Sequence, residues 1–116
     1  MKSCKDWGNT MTIDEVNSIV VQIIAFAGDS KSYSMEALSD VERDNFDEAE
    51  VNLQEAEKQL TAAHEVHTKL LVEEARKPGS VPITLMVVHA SNHLSGAEVT
   101  FDLVKHIVQI SKHKKK

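Results

Sequence analysis

His89 and His93 stand four residues apart in Val87-Val88-His89-Ala90-Ser91-Asn92-His93-Leu94, a largely apolar run. On a helix that spacing puts both imidazoles on one face, one turn apart. Neutral imidazole, with an ordinary pKa of about 6.5, is a nucleophile at physiological pH and can carry a phosphoryl group. The charge so acquired needs compensation from donors or cations. His93 offers a donor from one turn away, and Ser91 and Asn92 offer donors from nearby. On pattern alone, the commoner fate of a histidine on an apolar helix face is a structural one.

The same pair has the spacing of two metal ligands, and His64 with His67 offers another close pair. The run lacks the Glu of the zinc-protease motif, and no Cys or third fixed ligand follows, so the metal signal is weak. There is no glycine-rich phosphate loop, no GxSxG and no CxxC. His67 interrupts an apolar seam, where a hydrogen-bonded polar residue would fix helix register. A structural role is expected for it. A functional reading would set His64 and His67 beside His89 across the helix packing, and His64 stays open between the two. His106 and His113 are expected to be solvated.

Helices must position these groups. Thr12-Ile13-Asp14-Glu15 has the pattern of a capping box, and apolar residues follow at helical spacing from Ile13 through Val16, Val20, Ile23 and Ala27. The spacing predicts one long helix, kinked near Gly28, where glycine weakens the element. Asn45 with Glu48 reads as the next start. Phe46, Ala49, Leu53, Ala56, Leu60, Ala63, His67 and Leu70 then recur at alternating intervals of three and four, up to the break at Pro78-Gly79.

Val81 to Val88 is rich in β-branched residues and taken alone resembles a strand. Met86, His89, His93, Gly96, Thr100, Leu103, Ile107 and Ile110 nevertheless keep the helical rhythm over many turns, so length decides for a third helix with Pro82 in its first turn. The expected fold is all-α, three long antiparallel helices in an up-down-up bundle. Residues 1–10 read as an N-terminal tail and residues 11–116 as a single helical domain. Leu85-Met86-Val87-Val88 is apolar all round, which implies burial either in a wide intramolecular contact or against other subunits.

The 116 residues, 41% hydrophobic and 27% charged, have the composition of one soluble globular domain. A net charge of -5 argues against nucleic-acid binding, and Lys112 to Lys116 reads as a solvated end. Cys4 is the only cysteine, which excludes an internal disulfide and favours the cytosol. No secretory leader or membrane span is expected.

Three segments together resemble the lactose/cellobiose-type IIA component of the bacterial phosphoenolpyruvate-dependent sugar phosphotransferase system. Ala27-Gly28-Asp29-Ser30-Lys31-Ser32 is similar to A-G-D-A-R-S, Ala63-His64-Glu65-Val66-His67-Thr68 to A-H-x-x-Q-T, and His89-Ala90-Ser91-Asn92-His93-Leu94 to H-x-Q-D-H-L. The resemblance spans essentially the whole chain after the tail. It implies a cytoplasmic phosphocarrier whose His89 takes a phosphoryl group from the phosphohistidine of HPr and hands it to a cysteine of the IIB component, for uptake of a β-linked disaccharide such as cellobiose or lactose. His93, Ser91 and His64 would support His89.

The resemblance further implies a homotrimer with the active histidines in clefts between subunits, without direct membrane insertion. This chain departs from the motif at Asn92, where the family has an Asp whose three copies hold a metal ion near the threefold axis. An amide is a poorer ligand for a divalent cation than a carboxylate, so no cofactor is expected. Ser91 and His67 replace the family's glutamines. A second function class is a non-catalytic interaction or regulatory paralogue on the same scaffold, and a third is a histidine-rich metal-binding bundle. Phosphorylation assays separate the first two, and metal titration tests the third.

Overall fold

A computed structural model describes residues 10–115, which form three helices: α1 (Ile13–Glu42), α2 (Phe46–Arg76) and α3 (Leu85–Lys115). Cys4, Lys116 and nearly all of the expected tail lie outside the described residues. The bundle measures 63 × 20 × 20 Å. Cross-helix bonds fix its directions. Ser30 Oγ donates to the Ala56 carbonyl at 2.8 Å and Asn52 Nδ2 to Asp40 Oδ2 at 2.7 Å, so α1 and α2 run antiparallel. Lys112 Nζ meets Glu50 Oε2 at 3.0 Å near one end of the bundle, while Ser91 approaches His67 near the other, so α3 returns antiparallel to α2.

The α1 start forms as its sequence requires. The Glu15 amide donates to Thr12 Oγ1 at 3.1 Å and the Thr12 amide to Glu15 Oε1 at 2.7 Å, satisfying two amides that have no helical partner. α1 then continues through Gly28 as one unbroken helix, the single long element that the spacing predicts. Ala27 and Ser30 are buried on either side, and the Ser30 bond to α2 holds the register there.

The α1–α2 turn is closed by Asp44 in the left-handed region, φ 59°, with the Asn45 amide on the Asp40 carbonyl at 2.8 Å. The Asp40 carboxylate is buried and accepts from both Arg43 and Asn52, fastening the turn to α2. Asn45 does occupy the position before α2, but its side chain makes no capping bond. The tight turn binds through Asp40 instead.

At the other end Gly79, φ 85°, and the Glu74 carboxylate shape the connection: Glu74 accepts from the Gly79 and Val81 amides at 2.7 and 3.1 Å. α3 begins at Leu85, later than expected. Thr84, not Pro82, prepares its first turn, its Oγ1 accepting from the Val87 amide at 3.2 Å. Pro82 belongs to the connection, which the Met11 amide reaches by donating to the Ser80 carbonyl at 2.7 Å.

The α2 seam is inside as the periodicity requires: Ala49, Leu53, Ala56, Leu60, Ala63 and Leu70 are buried. The α3 seam is displaced by one residue. Its buried row is Ala90, Leu94, Ala97, Phe101, Val104 and Val108, packed on Val16, Val20, Ile23, Ala27 and Ala37 of α1 among others. The expected row is not in this core; Leu103 and Ile110 are each 58% exposed. Leu85 is 84% exposed, so the apolar start of α3 is not buried within one protomer. α3 therefore carries two apolar rows, one facing its own bundle and one facing outward.

Candidate active site

The exposed imidazoles of His89 and His93 meet edge to face, with Nε2 atoms 3.1 Å apart and ring centroids 4.5 Å apart. That distance is a hydrogen bond, in which one ring donates its N–H and the other accepts on its lone pair. The pair lies in an open groove of about 250 Å³ between α1 and α3, with Asn92, Gly96 and Ala97 on the α3 side and Ala27 and Lys31 on the α1 side. The floor is made of small side chains because α1 and α3 pack closely there, and Ala27 and Ala97 are both buried.

Within one protomer, two of the expected supporting residues are elsewhere. Ser91 Oγ lies 3.4 Å from His67 Nε2, turned toward α2 and away from His89. His64 Nε2 is 3.5 Å from Glu98 Oε2, and His64 borders a separate depression along α2 with Thr61, Glu65, Thr68 and Lys69. Positions 91 and 98 face α2, whereas 89, 93 and 96 face the α1 groove. His67 has the hydrogen-bonding partner expected of a structural residue. Burial, and then the neighbouring His64, hold its imidazole below the usual value. Asn92 borders both the His89 groove and an apolar pocket of about 340 Å³ whose walls include Leu70, Val81 and Val87.

Lys31 was not singled out by spacing. It belongs to the Ala-Gly-Asp-Ser-Lys-Ser segment, more than fifty residues before His89 in the chain, and only helix packing brings the two to one groove. Its signal in the sequence was the Arg of the A-G-D-A-R-S pattern, for which Lys31 keeps the charge.

The family described as "PTS system, Lactose/Cellobiose specific IIA subunit" matches residues 18–112. The chain belongs to this family. It is 34% identical to the lactose-specific EIIA component of Staphylococcus epidermidis over 102 residues, 88% of this chain and 97% of that protein. It is 33% identical to the lichenan-specific phosphotransferase enzyme IIA component of Bacillus subtilis over 97 residues, 84% of this chain and 87% of that one. The crystal structure of PtcA from S. mutans superposes with a TM-score of 0.84 at 29% identity, covering 88% of this chain and 99% of that chain. The cellobiose-specific enzyme IIA of Bacillus anthracis does so with 0.81 at 27%, covering 91% and 94%.

This IIA protein is thus a phosphocarrier of the sugar phosphotransferase system, working through a phosphohistidine. Among the described residues no helix is long and apolar enough to cross a membrane. The family's metal does not suit the side chains present. Asn92 offers a neutral amide where a carboxylate would be needed.

Proposed function

We propose that His89 is the phosphoryl carrier, accepting the group from the phosphohistidine of HPr and passing it to a cysteine of the IIB component. The observation that carries this reading is the His89–His93 contact in an open groove on the motif-bearing helix. If His93 donates its Nε2–H, His89 holds its own proton on Nδ1 and keeps an Nε2 lone pair ready to attack phosphorus. As the bond to phosphorus forms, the same His93 N–H turns to a phosphoryl oxygen. Positioning and charge stabilisation then do the catalysis, with no separate base.

The protein serves in the cytoplasm as a homotrimer, for uptake of a β-linked disaccharide of the cellobiose or lactose type. The names of the relatives support the sugar class, and the outward apolar row of α3 supports the trimer. The test is incubation with phosphoenolpyruvate, Enzyme I and HPr, read by intact mass. The native protein gains one phosphoryl group, and His89→Ala gains none while keeping its helical spectrum, because His89 is exposed and leaves the core unchanged. Full phosphorylation of folded His89→Ala refutes the assignment.

A further inference from the structure

We infer that the α1–α3 groove is a binding site for the transferred phosphoryl group, in which Lys31 supplies the cation that neutralises it. This rests on His89 as the carrier and goes beyond it by assigning the group's charge partner. A phosphorylated side chain carries about one and a half to two negative charges near neutral pH and three acceptor oxygens. The groove beside His89 is suited to that charge, since among the described residues no acidic side chain lines it and Lys31 does. Lys31 makes no hydrogen bond or ion pair with the described residues, so its ammonium is uncommitted.

The buried Ala27 and Ala97, with Gly96, leave about 250 Å³ open beside the imidazoles. Two imidazole nitrogens 3.1 Å apart are also close enough to share a metal ion, but the ammonium in the same groove repels a cation and attracts an anion. Before transfer Lys31 has no partner among the described residues. Once the group arrives, Lys31 and His93 both donate to its oxygens, and both bonds are charge-assisted.

The step balances without a further reactant. The donor's phosphorus–nitrogen bond breaks with its electron pair staying on the donor nitrogen, while the His89 Nε2 lone pair forms the new bond to phosphorus. Lys31 remains protonated throughout. The flexible stem of Lys31 lets its ammonium follow the group as it arrives and departs.

The test uses the full chain with Lys31→Met and Lys31→Arg, charged by phosphoenolpyruvate, Enzyme I and HPr. Phosphorus NMR reads the second ionisation of the phosphohistidine, mass spectrometry reads equilibrium occupancy against HPr, and peptide mapping reads the labelled residue. Lys31 is exposed, so circular dichroism should be unchanged in both variants. Removing the cation should raise the phosphoryl group's second pKa and lower the phosphorylation equilibrium about tenfold, the low end expected for a charged hydrogen bond near solvent. Lys31→Arg, which keeps the charge, should restore both.

Labelling of the native protein at another residue defeats the carrier reading itself, whatever Lys31 does. Labelling at His89 with pKa and occupancy unmoved in Lys31→Met overturns only the role of Lys31. Lost occupancy without a pKa change overturns it too, since the ammonium of Lys31 would then not be facing the phosphoryl charge.

Discussion

Leu103→Glu should dissolve the proposed trimer and leave the protomer folded. Val99, Leu103, Ile107 and Ile110 project from the outward row of α3 and remain 57%, 58%, 40% and 58% exposed in one protomer. Complete burial of such a side chain is worth about 1.5–3 kcal/mol, so covering the exposed half contributes about 1 kcal/mol each, or roughly 4 kcal/mol per protomer. Leu103→Glu removes about one of these and, in the proposed trimer, would set a carboxylate in each covered apolar contact, a further cost of at least about 1 kcal/mol each.

The loss is then about 2 kcal/mol per protomer, or roughly 6 per trimer. Because three protomers associate in two steps, the concentration of half-dissociation rises on the order of a hundredfold. The fold of the protomer should hardly respond, since a half-exposed surface position shifts stability by only about 0.5 kcal/mol. Sedimentation equilibrium across the micromolar range reads the assembly, and circular dichroism reads the fold. The native chain should sediment at three times 12.9 kDa and the variant at the single mass. A native monomer throughout that range, or an unshifted trimer for Leu103→Glu, refutes the reasoning.

Chelators should leave the size of the proposed trimer unchanged, because three Asn92 amides meeting in it could bond to one another or to a trapped water; Asn92→Asp should make assembly depend on a divalent ion, and one tightly held metal per native trimer by elemental analysis would contradict this. His67→Gln should flatten the acid limb of stability. His67 is held below its usual value by burial and by His64, so the unfolded chain binds the proton first as pH falls. Its contribution is complete above about pH 6.5 and is lost as pH drops from there toward the lowered folded value, and urea unfolding of both proteins at several pH values checks the difference. Asp40→Ala should cost about 2–3 kcal/mol, because it removes a buried carboxylate that accepts at 2.8 and 2.7 Å from Arg43 and Asn52. A loss below about 0.5 kcal/mol in chemical denaturation would show that the α1–α2 turn closes without it.

Local physics made the helices legible. The Thr12–Glu15 box closes with both bonds, α2 buries the seam from Ala49 to Leu70, and Pro78-Gly79 ends it, because capping, heptad spacing and backbone restriction act within a few residues. The His89–His93 pair is likewise a local fact, set by one helical turn. The inner face of α3 was not legible. Residues 90, 94, 97, 101, 104 and 108 and the row containing 96, 103 and 110 both satisfy helical spacing, and only packing against α1 selected the first for the protomer core.

The same selection separated His64 from His89, because rotating α3 by one residue turns Ser91 and Glu98 toward α2 and His89 and His93 toward α1. It also brought Lys31 to the groove across more than fifty residues of chain. Periodicity specifies that a helix has a buried face. Which of two apolar rows becomes that face depends on the complementary surface of its neighbours, and that information is distributed over all three helices.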